Sequence, residues 1–234
     1  MDRGIFIKRM ETIFQPINDR SGRTFYTPSK YWGKPFKLLY IGYNPGGSPT
    51  QEPETITVHW QKKLDDPDLN NYSEQWPQYG PSEHPLQRVY FGLRDVMAFN
   101  EKDILGTNIF FAREMSSKKL TLDAKDIEVR DSFLSLLFNN FEFQKVIILG
   151  KPANTMLREF FGKKDSEKDQ RKEIFLSPSG KWWYKIRIWD VRFEDKKIEC
   201  VCIPHPGYYT DQNYGKYDSI EFFQNMKKIA NCFS

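Results

Sequence analysis

KLLYIGYNPGG, residues 37–47, changes character at one point. After Lys37 the next six residues are apolar on both faces, and 37–43 predicts a strand buried between two covering layers. Asn44-Pro45-Gly46-Gly47 then predicts a turn at its end. The same alternation repeats outward. A helix is expected over 85–99, where Leu86, Val89, Tyr90, Leu93, Val96 and Met97 share a face, and a second strand over 104–111, ILGTNIFF. Another helix follows over 124–141, with Ile127, Phe133, Leu134, Leu137 and Phe138 in register. KVIIL at 145–149 gives a third buried strand, ending at Gly150 before a helix opened by Pro152. Two or three strands are expected over 173–203 with a hairpin turn at 177–180, then a last helix turning Ile220, Phe223, Ile229 and Ala230 inward. Strands alternating with helices predict an α/β three-layer sandwich, a central, mostly parallel sheet flanked by helices. The polar, Pro-bearing stretch 48–85 reads as a long loop or insert within a single domain spanning 1–234.

The composition limits the function classes. The 234 residues carry 35 Lys+Arg against 31 Asp+Glu, a net charge of +4 that allows a polyanionic partner without requiring one. No window holds the roughly 20 apolar residues of a spanning helix. The opening MDRGIFIKRMETIF interrupts any signal-peptide centre with charge, so a cytoplasmic protein, a monomer away from membranes, is expected. Cys200, Cys202 and Cys232 cannot form a closed disulfide set, and Cys200 and Cys202 are expected to turn their thiols to opposite faces of a strand. No metal site and no cofactor is expected. G-x-S-x-G, G-x-x-x-x-G-K-[ST] and G-x-G-x-x-G are all missing, which argues against a hydrolase-like or nucleotide-binding protein.

In an open parallel sheet ligands bind beyond the carboxyl ends of the strands, so those ends carry the functional reading. Four segments arrive there: 42–47, Thr107-Asn108, Gly150-Lys151-Pro152 and Pro204-His205-Pro206-Gly207. Prolines on both sides of His205 stiffen its loop and present the imidazole rather than pack it. Asn108 is a polar amide in an otherwise apolar strand and must find a partner or line a cavity. His59 and His84 lie in the insert, are expected to be exposed, and are given no chemistry.

Taken in chain order, strand-GxNPG, strand-TN, strand-LG-helix and strand-PHPG resembles the uracil-DNA glycosylase superfamily. The likeness is concentrated in GYNPGGSP and IPHPG, is supported by GTNIFFAR and VIILGKPANTML, and does not extend into the insert. It implies a uracil-DNA glycosylase-like fold and a monofunctional DNA glycosylase. Such an enzyme hydrolyses the N-glycosidic bond of a flipped-out uracil or C5-modified pyrimidine, such as a hydroxymethylated or glucosylated cytosine of phage DNA, and leaves an abasic site. The role would be base-excision repair or antiviral defence. The alternative is a non-catalytic DNA-binding relative that senses a modified base.

The resemblance also assigns parts. His205 would donate to the pyrimidine O2 as negative charge gathers there, and Asn44 would hold the attacking water, without the basicity that an Asp has in some branches. Asn108 would read the edge of the base, with Tyr43 and Gly46 beside it. Efficient uracil-only branches carry a bulky aromatic where this chain has Gly46, so the pocket is expected to admit C5 substituents, unless Gly46 serves only the backbone turn. Gly47 and Ser48 would offer amides to DNA phosphates, as would Gly150 and Lys151 at a helix amino end. Gly207 belongs to the same histidine loop, and Tyr208 or Tyr209 would fill the gap left by the flipped nucleotide. The base-stacking aromatic is not located; Trp60, Tyr72, Trp76 and Tyr79 of the insert are its candidates. Lys118-Lys119 and Lys163-Lys164 read as solvated faces.

Overall fold

The structure is a computed structural model that describes residues 1–46, 54–76, 79–114, 121–162, 171–176, 183–206 and 219–233. A six-stranded sheet lies at its centre in the order β2-β1-β3-β6-β5-β4. The strands are β1 (Leu38–Gly42), β2 (Ile104–Asn108), β3 (Lys145–Leu149), β4 (Arg171–Leu176), β5 (Trp183–Phe193) and β6 (Lys196–Ile203). β2, β1, β3 and β6 are parallel neighbours, while β5 runs antiparallel between β6 and β4. The sheet is mostly parallel, as expected, with an antiparallel extension on one side.

Both faces are covered. Alternate residues of each strand point to opposite sides, so Leu39, Ile41, Leu105, Val146 and Ile148 pack on one core, and Leu38, Tyr40, Ile104, Ile147, Leu149, Val201 and Ile203 on the other. The first core lies under α1 (Arg3–Phe14), α2 (Ile56–Asp65), α4 (Ala124–Asn140) and α5 (Lys151–Phe160). The second lies under α3 (Pro85–Val96) and α6 (Ile220–Ala230). A parallel pair joined through a helix needs that helix to run back against the strands, so α3, between β1 and β2, begins at the carboxyl edge of the sheet.

Several expectations are corrected. The insert contains α2, which is capped by the Thr55 hydroxyl accepting from Val58 N and buries Ile56, His59, Trp60 and Lys63. His59 is not exposed; its relative exposure is 1%. The amino terminus is helical, capped by Asp2 and burying Phe6, Met10 and Phe14. In α6, Ile220 and Phe223 face outward, and Phe222, Asn225, Met226 and Ile229 are the buried positions. Cys200 and Cys202 share one face rather than two, because strand side chains repeat every second residue, and both sit in the first core as free thiols. Burial raises both thiols, Cys202 to about 12, so neither is a nucleophile at neutral pH. No helix among the described residues is long and apolar enough to cross a membrane. The expected turn at 177–180 lies outside the described residues.

Candidate active site

The register brings the predicted segments to one edge. Gly42 of β1 pairs with Asn108 of β2, Ile41 with Ile148 of β3, and Leu149 with Ile203 of β6. The four parallel strands therefore end level, and the turns after them emerge side by side. Beyond β1 the chain stays zipped to the segment after β2: Ile109 N donates to Gly42 O (2.9 Å) and Phe110 N to Tyr43 O (2.8 Å). Tyr43 packs its ring edge-on against Phe110 at 5.2 Å.

Asn44 is held in one orientation. Its Nδ2 donates to Pro45 O (2.9 Å) and Glu114 O (3.1 Å). Two carbonyl acceptors fix which end of the amide is nitrogen, and no described residue donates to the Oδ1 on its other side. Asn108 is also fixed. Its Nδ2 donates to the Tyr26 hydroxyl (3.1 Å), its exposure is 5%, and its Oδ1 crosses β1 so closely that a Cβ on Gly42 would lie 2.4 Å from it. Glycine at 42 makes room for the amide of 108. One Nδ2 hydrogen and the Oδ1 remain on that amide for a ligand edge.

Tyr26 is anchored from below. Its ring stacks on Tyr72 (5.3 Å), and its carbonyl accepts from Asn71 N (2.8 Å) and from the buried Lys63 Nζ (3.1 Å). Lys63 also donates to Thr27 O and Leu69 O, while burial pulls its ammonium down to about 7. His59 contributes to this layer, not to the site. Thr24 N donates to its Nδ1 (3.2 Å), which leaves Nε2 to donate to Asn71 Oδ1 (3.3 Å), and burial lowers its pKa well below the usual imidazole range.

On the other side of β1 stand Gly150 and His205. Gly150 adopts φ +85 and ψ 160, a conformation that favours glycine, and a Cβ there would come within 3.3 Å of His205 Cβ. Gly150 N donates to Ile203 O (2.8 Å), so the turn after β3 is tied to the strand that carries His205. The His205 ring is half-buried, and loss of hydration lowers its pKa to about 4, which keeps it neutral at pH 7. Lys151, the first residue of α5, is exposed. β6 lies two strands from β1, which separates the two turns by about 10 Å at the sheet edge.

Gly46 contrasts with Gly42 and Gly150. It has no positive φ, and a Cβ at this position would meet no described atom within 4 Å. Among the described residues nothing requires glycine there, and no described atom fills the space a side chain would take.

The insert aromatics divide. Trp60 and Tyr72 are core: Trp60 stacks on Trp32 at 4.7 Å and Tyr72 on Tyr90 at 3.9 Å. Trp76 and Tyr79 instead both contact His84, with centroids 4.6 and 4.8 Å from its ring. His84, expected to be exposed and inert, is half-buried at the amino end of α3, with its pKa lowered to about 4 by burial and by the neighbouring His205. The signal that would have found it was His-Pro at a helix start with Gln87 three residues on, a capping pattern in which histidine takes an unusual part.

Gly47, Ser48, Gly207, Tyr208, Tyr209, Lys118-Lys119 and Lys163-Lys164 lie outside the described residues. No group of His, Cys, Asp and Glu that could hold a metal ion is found among the described residues. A groove of about 550 Å³ elsewhere, beside α1 and α4 and lined by Arg9, Ile13, Ser135 and Asn139 among others, contains none of the residues singled out from the sequence. No protein-family profile matches the chain, and no match is found among characterised proteins.

Proposed function

We propose that the chain is a monofunctional DNA glycosylase of the uracil-DNA glycosylase type, releasing uracil or a C5-modified pyrimidine flipped into the carboxyl edge of the sheet. The observation that carries this reading is the level ending of β2, β1, β3 and β6, which sets an oriented amide, an Asn-Pro-Gly turn and a proline-flanked neutral imidazole in one row. In the reaction the N1–C1′ bond breaks and its electron pair leaves on the base, while a water oxygen bonds to C1′ and the water's proton ends on the base. His205 donates an N–H to O2 as charge builds there, a role that needs no imidazolium. Asn44 Oδ1, fixed by the two carbonyls behind it, accepts from the attacking water and orients it, but does not act as a base near neutral pH. Asn108 offers one donor and one acceptor to the edge of the base. The open space at Gly46 accommodates a substituent on C5.

Asn44 also favours a second reading, since an amide in place of a carboxylate suits a protein that binds a modified base without cleaving. One experiment separates the two. Oligonucleotides carrying uracil, mismatched thymine, 5-hydroxymethylcytosine or glucosylated hydroxymethylcytosine are incubated with the protein, single- and double-stranded, then treated with alkali. Strand breakage at a modified position supports the glycosylase. Saturable binding with intact strands after long incubation supports the sensor.

A further inference from the structure

We propose that His84 is a second imidazole N–H donor of this site, set beside His205 and aimed at an oxygen of the bound pyrimidine. The inference rests on the functional reading above and adds to it a residue from outside the four strand-end segments.

The fold puts His84 at the right edge. It is the residue before α3, the helix that runs back from the sheet edge between β1 and β2, and the first turn of α3 is fixed over β1 where the Tyr40 hydroxyl donates to Leu86 O (3.5 Å). A continuous wall leads from the base-reading amide to it. Asn108 bonds Tyr26, the Tyr26 ring lies 6.1 Å from Trp76, and Trp76 lies 4.6 Å from His84. Tyr79 also packs edge-on against His84 at 4.8 Å, and His205 is near enough that a positive charge there would disfavour one on His84. These contacts give the site a second, aromatic wall that the strand-end motifs do not contain.

The cap then fixes the chemistry of the ring. Leu86 N donates to His84 Nδ1 (3.2 Å), while Gln87 Oε1 accepts from His84 N (2.9 Å). A nitrogen that accepts a backbone N–H carries no proton, so the neutral ring must hold its hydrogen on Nε2. No described residue is hydrogen-bonded to that Nε2. The cap thus fixes both the tautomer and the direction of the ring, and flat neighbours at 4.6 and 4.8 Å hold it in place. A donor oriented before the substrate arrives is what a developing anion requires, because no reorganisation is needed when the charge appears.

The test uses His84→Asn, since asparagine is among the best helix-capping residues and keeps the fold of α3 while removing the Nε2–H. His84→Ala removes both and reports the cap separately. Base release is followed in single turnover on oligonucleotides carrying uracil and 5-hydroxymethylcytosine, alongside thermal unfolding. His84→Asn is expected to unfold at the wild-type temperature and to lose on the order of 10-fold or more in rate. A variant that melts like wild type and releases base at the wild-type rate overturns the proposal. Nitrogen-15 histidine NMR provides a readout independent of turnover. The wild-type His84 signal should show an Nε2–H ring that shifts when a uracil-bearing single-stranded oligonucleotide is added, whereas an Nδ1–H ring or an unmoved signal contradicts the proposal. If wild type releases no base from any substrate, the glycosylase reading has failed, and the NMR result still decides the role of His84.

Discussion

Gly42→Ala is the smallest change that strikes the Asn108 amide without touching it. The backbone at 42 has no positive φ, so alanine is conformationally acceptable, and the whole effect comes from one methyl group. That methyl would sit 2.4 Å from Asn108 Oδ1. Ordinary contact needs about 3.4 Å, so the amide must retreat by about 1 Å. Asn108 is buried, and its Nδ2 is committed to Tyr26, so the retreat stretches or breaks a 3.1 Å hydrogen bond in a packed layer. Overpacking of this kind costs about 1–3 kcal/mol. In a chain of this size that lowers the melting temperature by roughly 2–12 °C. A 1 Å misplacement of a positioning group costs on the order of 100-fold in rate. The assay pairs thermal unfolding with single-turnover base release and uses Gly46→Ala as control, because a methyl there meets no described atom and should leave the melting temperature within about 1 °C of wild type. Gly42→Ala melting with wild type and releasing base at the wild-type rate would refute the account of how Asn108 is held.

Other consequences follow from the same geometry. Gly46→Phe should fill the open space, preserving release of uracil while reducing release of C5-substituted pyrimidines at least about 10-fold, measured as the ratio of single-turnover rates on the two oligonucleotides. Acid should destabilise the protein through its histidines. His84 and His205 are depressed to about 4 in the fold against an ordinary 6.5, so the unfolded chain binds their protons first, and stability that is complete above pH 6.5 falls as pH drops toward 4. Each ring contributes at most on the order of 3 kcal/mol to that fall, less for its solvent exposure. Urea unfolding at stepped pH should therefore show a shallower decline between pH 6.5 and 4 in a His84→Asn, His205→Asn double variant than in wild type, and an equal slope would contradict the burial of these rings.

The parts of the fold that were legible were those where periodicity and punctuation agree. β1 and β3 are short apolar runs closed by Asn-Pro-Gly or Gly-Lys-Pro, and no competing structure explains such runs. The convergence of their ends was equally legible, because parallel strands with helical connections must finish at one edge. α2 is hidden in the sequence because two of its four buried positions are His59 and Lys63, whose polarity masks a helical face that becomes stable only with Thr24, Asn71 and three backbone carbonyls as partners. In α1 the charges between the apolar residues mask a helical face, although Phe6, Met10 and Phe14 repeat every four residues. In α6 the apolar Ile220 and Phe223 drew the predicted face a step away from the true one, where Asn225 is buried. The gathering of Asn44, Asn108, Gly150 and His205 at one sheet edge was legible from the strand ends, whereas the placing of His84 at the amino end of α3 was not. The capping pattern with Gln87 marks the helix start, but the contacts of His84 with Trp76 and Tyr79 come from the packing of the insert, which no local pattern encodes.

The central claim is that the imidazole at 205 and the amides at 44 and 108 release a pyrimidine from DNA, and mass spectrometry of the free base tests it most directly. Protein in excess is mixed with uracil- and 5-hydroxymethylcytosine-bearing oligonucleotides, and the supernatant is assayed for the liberated base, wild type beside His205→Ala. The account predicts stoichiometric release by wild type from at least one substrate and a rate lower by ~100-fold or more in the variant. Equal release by both proteins, or none by wild type from any substrate, would contradict it.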